Sequence, residues 1–217
     1  MAWVGIIVVA KALKLEKYGF ELKAYSLVYK NKSVNDVLIK VLGRTKRGIK
    51  VFADLSVIAG FLMMGFAFYF LLNNVSNYFV APDGFSELTV LIPGVTLTSA
   101  PAITYFLLSI PIVLVMHEGA HGIVAALEKI KIKTGGFAIF IALFAGFVEP
   151  DEEEFEKAKK ISKLRVIGAG ATSNVLFAIV LGAIMLTNPI FGMVLESIPL
   201  FGDVILNTFY ELSQGVL

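Results

Sequence analysis

The sequence predicts an all-α polytopic membrane protein with three to five membrane helices and one short re-entrant segment of β-hairpin type. Three observations predict it. Hydrophobic residues make up 57% of the chain and charged residues 17%, with a mean hydropathy of +0.81, which excludes a water-soluble globule. Three stretches, 51–72, 101–127 and 166–186, stay apolar over the roughly 20 residues that carry a helix across a bilayer. All 19 Lys and Arg fall in two segments, eleven between Lys11 and Lys50 and eight between Lys129 and Arg165. Basic residues collect in cytoplasmic loops, so both segments are expected in the cytosol and loop 73–100 outside. Lipid headgroups account for these cations, and a nucleic-acid partner is not expected.

Each element follows from local pattern. Residues 1–10 are apolar but too short to cross alone. They lack the basic start and small-residue cleavage site of a signal peptide, leaving an interfacial start or the remainder of a longer segment. Segment 11–50 is the cytoplasmic basic segment. Alternation over 18–29 gives a candidate strand. Ser33 then caps a helix to about residue 42, with Val34, Val37, Leu38 and Val41 on one face and Gly43 ending it, expected to lie on the membrane surface. Asp54 is expected at the interfacial end of span 51–72. The 73–100 loop turns at Pro82-Asp83-Gly84 and Pro93-Gly94.

Span 101–127 returns to the cytosol, where 128–165 forms a re-entrant and cytoplasmic segment. Its apolar stretch 135–148 is too short to span, so it is expected to dip into the membrane as a hairpin or strand. Acidic 149–156 followed by basic 157–165 suits one solvated helix, acid at its N-terminal end. Span 166–186 places Gly168, Gly170 and Asn174 on neighbouring turns. Small residues there let helices approach closely, and a buried Asn needs a partner. The tail 188–217 is mixed. The whole of 1–217 reads as one membrane-embedded core.

The chemistry sits in His117-Glu118-Gly119-Ala120-His121, which contains the only two histidines of the chain, directly after the uncharged run 103–116. Ionisable groups in hydrocarbon are costly and mark function. On a helix, residues four apart project about 40° from each other and ~6 Å along the axis, so both imidazoles reach one ion. Neutral imidazole nitrogens bind Zn²⁺, and a catalytic zinc keeps one position open for water. Glu118, about 100° around the helix, is placed to take a proton from that water without becoming a ligand. A third ligand is required. With no Cys and no further His in the chain, the candidates are the carboxylates Asp203, Glu196, Asp54 and Glu149, Asp203 foremost. Leu127 stands where a metzincin would need His.

Val115-Met-His-Glu-Gly-Ala-His-Gly-Ile-Val-Ala-Ala126, Gly136-Phe-Ala-Ile-Phe140 and Arg165-Val-Ile-Gly-Ala-Gly-Ala-Thr-Ser-Asn174 together resemble the site-2 proteases, and within them the sterol-regulatory branch. The similarity is best over 112–186. It implies an intramembrane zinc metalloprotease acting on transmembrane protein substrates in the bilayer. It implies metal ligation by His117 and His121, catalysis by Glu118, and a role for Asn174 in holding the substrate or the developing oxyanion. The family's third-ligand motif, Asn-x-x-Pro-x-x-x-x-Asp-Gly, is met only approximately by Glu196-Ser-Ile-Pro-Leu-Phe-Gly-Asp203-Val. Anchoring instead on 205–209 puts Phe201 at the ligand position, and a lost PDZ insertion is a third alignment. An atypical or truncated ligand motif leaves one alternative open: an inactive or non-enzymatic zinc-binding membrane protein.

Overall fold

The computed structural model describes residues 2–23, 25–140 and 143–187. Asp203, Glu196 and the tail 188–217 lie outside the described residues. The chain opens with helix α1 (Ala2–Ala12), which at about 1.5 Å per residue is too short to cross a bilayer. A 3-10 turn, Leu15–Tyr18, follows. It ends at Gly19, whose φ of 89° is a left-handed conformation that glycine adopts without strain. The chain then enters strand β1 (Phe20–Leu22) and turns back through β2 (Leu27–Asn31).

The run α2 (Val34–Val80) is two helices joined across a kink at Thr45, where φ of −131° and ψ of 21° are not helical, so the first helix ends within two residues of the expected stop at Gly43. The Thr45 hydroxyl donates to the Val41 carbonyl 3.1 Å away, a bond to the preceding turn that bends helices. The far end runs eight residues past the expected boundary at residue 72. There the Asn74 amide clamps the returning loop, donating to the Ser86 carbonyl and accepting from its N–H, both at 2.8 Å.

Helix α3 (Ala100–Leu127) starts where Ser99 Oγ accepts from the Ala102 N–H, with Pro101 in the first turn. Strands β3 (Ile132–Phe140) and β4 (Leu143–Pro150) form the expected hairpin. The sheet is wider than that hairpin, however, and the fold is mostly helical with a small sheet. β2 pairs antiparallel with β3, giving a four-stranded sheet in the order β1-β2-β3-β4. An isolated hairpin exposes the ladder groups of both its strands, and pairing β2 to β3 satisfies one of those edges. Register places Tyr29 opposite Phe137, their ring centroids 5.4 Å apart. Close approach of β2 requires Gly136, since a Cβ there would run into the Tyr29 carbonyl.

The acidic-to-basic stretch is also split. Helix α4 (Glu152–Lys157) is short and capped by Asp151, which accepts from the Glu154 N–H at 3.0 Å. That bond holds the Asp151 carboxyl below the usual range, helped by Lys133. The chain breaks at Ala158 and restarts as α5 (Lys160–Thr187), so Lys157 ends α4 while Lys160, Lys163 and Arg165 belong to the start of the third apolar helix.

α2, α3 and α5 are each long and apolar enough to cross a membrane. Their outer faces carry large exposed side chains, among them Phe66, Tyr69, Leu72, Val115 and Ile179. Hydrocarbon, not water, suits such surfaces, and contact between the helices depends on small residues. Ala53 and Ala169 are fully buried, and Gly60 faces the Gly168 backbone. Ser56 Oγ donates to the Ala53 carbonyl at 2.9 Å and also bonds to the Arg165 carbonyl at 3.3 Å. The buried core lies at one end of this bundle, built from Val124, Ala125, Ile130, Ile132 and Val166. Beside it Arg165 ties the three helices together. It binds Asp54 of α2 and, at 2.9 Å, Glu128 at the end of α3. Ser162 Oγ donates to the other Glu128 oxygen. The core and this brace flank the segment carrying His121.

Candidate active site

His117, Glu118 and His121 occupy consecutive turns of α3 and are all half-buried. The imidazoles face α5, their ring centroids 4.8 Å apart. Gly170 lies directly opposite. A Cβ on Gly170 would collide with Nε2 of both rings, so both nitrogens face the same small volume. Only a residue without a side chain leaves that volume open.

The Nδ1 atoms point elsewhere. His121 Nδ1 lies 2.6 Å from the Val166 carbonyl. A carbonyl oxygen only accepts, so Nδ1 carries the proton and the neutral ring presents the Nε2 lone pair to the shared volume. His117 Nδ1 lies 3.1 Å from the Asn174 amide, whose Oδ1 is buried with no partner among the described residues. The preceding residue, Ser173, donates through Oγ to the Gly170 carbonyl at 2.7 Å and bonds to the Met116 carbonyl at 3.1 Å, linking α5 to the residue before His117. The donor set suits zinc: two imidazoles at helical spacing with converging Nε2 atoms, each oriented through its other nitrogen by α5.

Glu118 points to a different neighbour. Its Oε2 accepts from the Val148 N–H of β4 at 3.0 Å, and β4 comes this close because Gly146 packs against the Glu118 side chain. A carboxylate has a second oxygen, which remains an acceptor. Glu118 also lines a cavity of about 490 Å³ between α3 and the sheet, walled by Pro111, Leu114, Tyr29, Phe137 and Phe147. That volume falls in the range of ligand-binding sites, and its wall is almost wholly apolar.

The fold thus brings together His117, Glu118, His121 and Asn174. Two further candidates are placed elsewhere: Asp54 pairs with Arg165, and Glu149 accepts from Thr134 Oγ1 at 2.9 Å. Among the described residues, no group of three or more His, Asp or Glu is arranged to hold a metal ion. The two remaining carboxylates, Asp203 and Glu196, lie outside the described residues. Sequence reasoning missed the Val166 carbonyl, the Val148 N–H and the Ser173 link. The first two are backbone groups, which no residue type announces.

A family model, Peptidase family M50, matches residues 105–216, just over half of the chain and all of the candidate site. The chain belongs to peptidase family M50. Membership implies membrane metalloprotease activity, and zinc is the metal of the family generally. Together with the three apolar helices, it makes this M50 chain an integral membrane protein. Its substrates and surroundings are accordingly those of the membrane. No solved structure matches the chain.

Proposed function

We propose that this chain is an intramembrane zinc metalloendopeptidase of the sterol-regulatory branch of site-2 proteases. It would hydrolyse peptide bonds of transmembrane substrates, as in regulated intramembrane proteolysis. The observation that carries this reading is the convergence of both Nε2 atoms on the face of α5 that Gly170 leaves open, with Glu118 on the adjoining face of α3.

His117 and His121 would hold the metal through Nε2, and Asp203 would supply the third ligand. Zinc held by these residues would supply Lewis-acid polarisation of the scissile carbonyl and a water that is nucleophilic near neutral pH. Glu118 takes a proton from the attacking water as its oxygen bonds to the carbonyl carbon. It passes that proton to the leaving amine as the C–N bond breaks. The Val148 N–H fixes one carboxylate oxygen, leaving the other for this transfer. Asn174 holds the substrate or the oxygen on which charge develops. The cavity between α3 and the sheet accepts apolar side chains of an unwound transmembrane segment, beside Glu118.

The distribution of Lys and Arg puts the basic segments, and hence the His121 end of α3, on the cytosolic side. The test uses the purified full chain in proteoliposomes carrying a transmembrane reporter peptide. Cleavage is expected with zinc loaded, lost on chelation and restored by zinc. A membrane-impermeant chelator should act only on vesicles whose basic loops face the bath. Intact reporter in the zinc-loaded vesicles would overturn the protease reading, and inhibition from the opposite face would overturn the orientation.

The third-ligand assignment is tested by zinc content. Asp203→Ala is expected to weaken zinc binding by orders of magnitude, because a catalytic site holds its ion through three protein ligands. Glu196→Ala should leave it unchanged. The reverse result moves the ligand to Glu196.

A further inference from the structure

We infer that Asn174 is a positioning residue that fixes the tautomer of His117, through its side-chain oxygen, so that Nε2 is free for metal. The inference rests on the zinc-protease reading and adds to Asn174 a task distinct from holding substrate.

The argument begins with His121. Its Nδ1 faces the Val166 carbonyl at 2.6 Å, and that contact requires an Nδ1 proton. The Nε2 lone pair of His121 is therefore directed at the volume beside Gly170. His117 presents Nε2 to the same volume. For both rings to bind one ion, His117 needs the same tautomer, and hence an acceptor at Nδ1. The side chain at Nδ1 is Asn174, 3.1 Å away, contacting through Nδ2 while Oδ1 is buried without a partner among the described residues.

An amide has two ends of equal shape and opposite character, interchanged by half a turn about the last side-chain bond. With Nδ2 toward the ring, the amide donates to Nδ1. The neutral ring must then carry its proton on Nε2, where it blocks coordination. That arrangement also leaves the buried Oδ1 without a partner among the described residues. With Oδ1 toward the ring, the oxygen accepts from Nδ1–H and the Nε2 lone pair is available. The amino group is then a buried donor, the kind of group a developing oxyanion needs. One side chain thus serves both tasks in a single orientation. It does so because α5 presents Asn174 one helical turn beyond Gly170, alongside the ring it must orient.

Three measurements on the full-length protein in detergent or bilayer test this. The first is zinc affinity, by competition with a chromophoric chelator. Asn174→Leu keeps the side-chain shape but removes the acceptor, and is expected to bind zinc about 10- to 100-fold more weakly. Asn174→Asp keeps an acceptor and is expected to hold zinc at least as well as the unaltered chain. The second is cleavage of the transmembrane reporter at saturating zinc. Asn174→Asp lacks the amino donor and should lower kcat with KM little changed, which a merely structural role would not produce. The third needs no variant: ¹⁵N shifts of His117 in the zinc-free protein should report a protonated Nδ1.

An Nε2–H tautomer of His117, or unaltered zinc affinity in a folded Asn174→Leu protein, would overturn the inference. If the unaltered chain binds no zinc, the protease reading fails instead, and the ¹⁵N measurement still decides whether Asn174 sets the tautomer.

Discussion

Glu118→Gln is expected to reduce reporter cleavage by about 10²- to 10⁴-fold while zinc content stays at the level of the unaltered chain. The substitution keeps the length and shape of the side chain. An amide oxygen can still accept the Val148 N–H that Glu118 Oε2 accepts at 3.0 Å, so the packing of β4 on α3 should persist. What is lost is the ability to take up a proton and return it. The rings of His117 and His121 face α5 and not β4, so their Nε2 atoms do not depend on the carboxylate charge for their orientation. Metal and turnover are therefore separable at this one position. They are not separable in His117→Ala/His121→Ala, which should lose both. Near-normal cleavage by Glu118→Gln would remove Glu118 from the proton transfer. Loss of zinc from that variant would make it a ligand.

Much of this arrangement could be read before any coordinates. The spacing of His117 and His121 fixes their angular relation on any helix, and the uncharged run before them makes that helix long and apolar enough to cross a membrane. A hairpin or strand was legible in the apolar stretch 135–148, too short to cross and too apolar to be solvated, and the hairpin formed spans 132–150. What failed to show is what depends on distant partners. The strand 27–31 has the right alternation, but its partner β3 lies about a hundred residues away, and pairing over that separation leaves no local mark. The end of the first cytoplasmic helix was legible from Gly43 to within two residues, since the helical path breaks at Thr45, but the Thr45 hydroxyl bond to the Val41 carbonyl at that kink was not. Asp54 and Glu149 were plausible ligands by residue type alone. Their actual partners, Arg165 and Thr134, belong to elements whose approach only the fold decides. Gly170 was legible as a small residue for helix contact. That the rings sit against it was not.

That last point yields the other large expected effect, because glycines on one helix face different neighbours. Gly170→Ala is expected to weaken zinc binding by at least about 100-fold, a loss beyond that of an ordinary partner of a ligand. The added Cβ would occupy the point on which both Nε2 atoms converge, so the rings must rotate away or α5 must retreat from α3. Retreat would in turn break the Val166 contact at His121 and the Asn174 contact at His117. Two other glycines of α5 separate this effect from general damage. A Cβ on Gly168 would come within 2.5 Å of the Ser56 carbonyl oxygen, against α2 and not against the rings. Gly168→Ala should therefore lower thermal stability with a smaller effect on zinc. Gly182 has nothing within 4 Å of its Cβ position among the described residues. Gly182→Ala should retain zinc and gain slightly in stability, by up to about 1 kcal/mol, since alanine restricts the unfolded chain more than glycine does. Chelator competition and thermal unfolding of the three variants give the pattern directly. Zinc affinity in Gly170→Ala equal to that of Gly182→Ala would mean the two imidazoles do not share a metal at this face of α5.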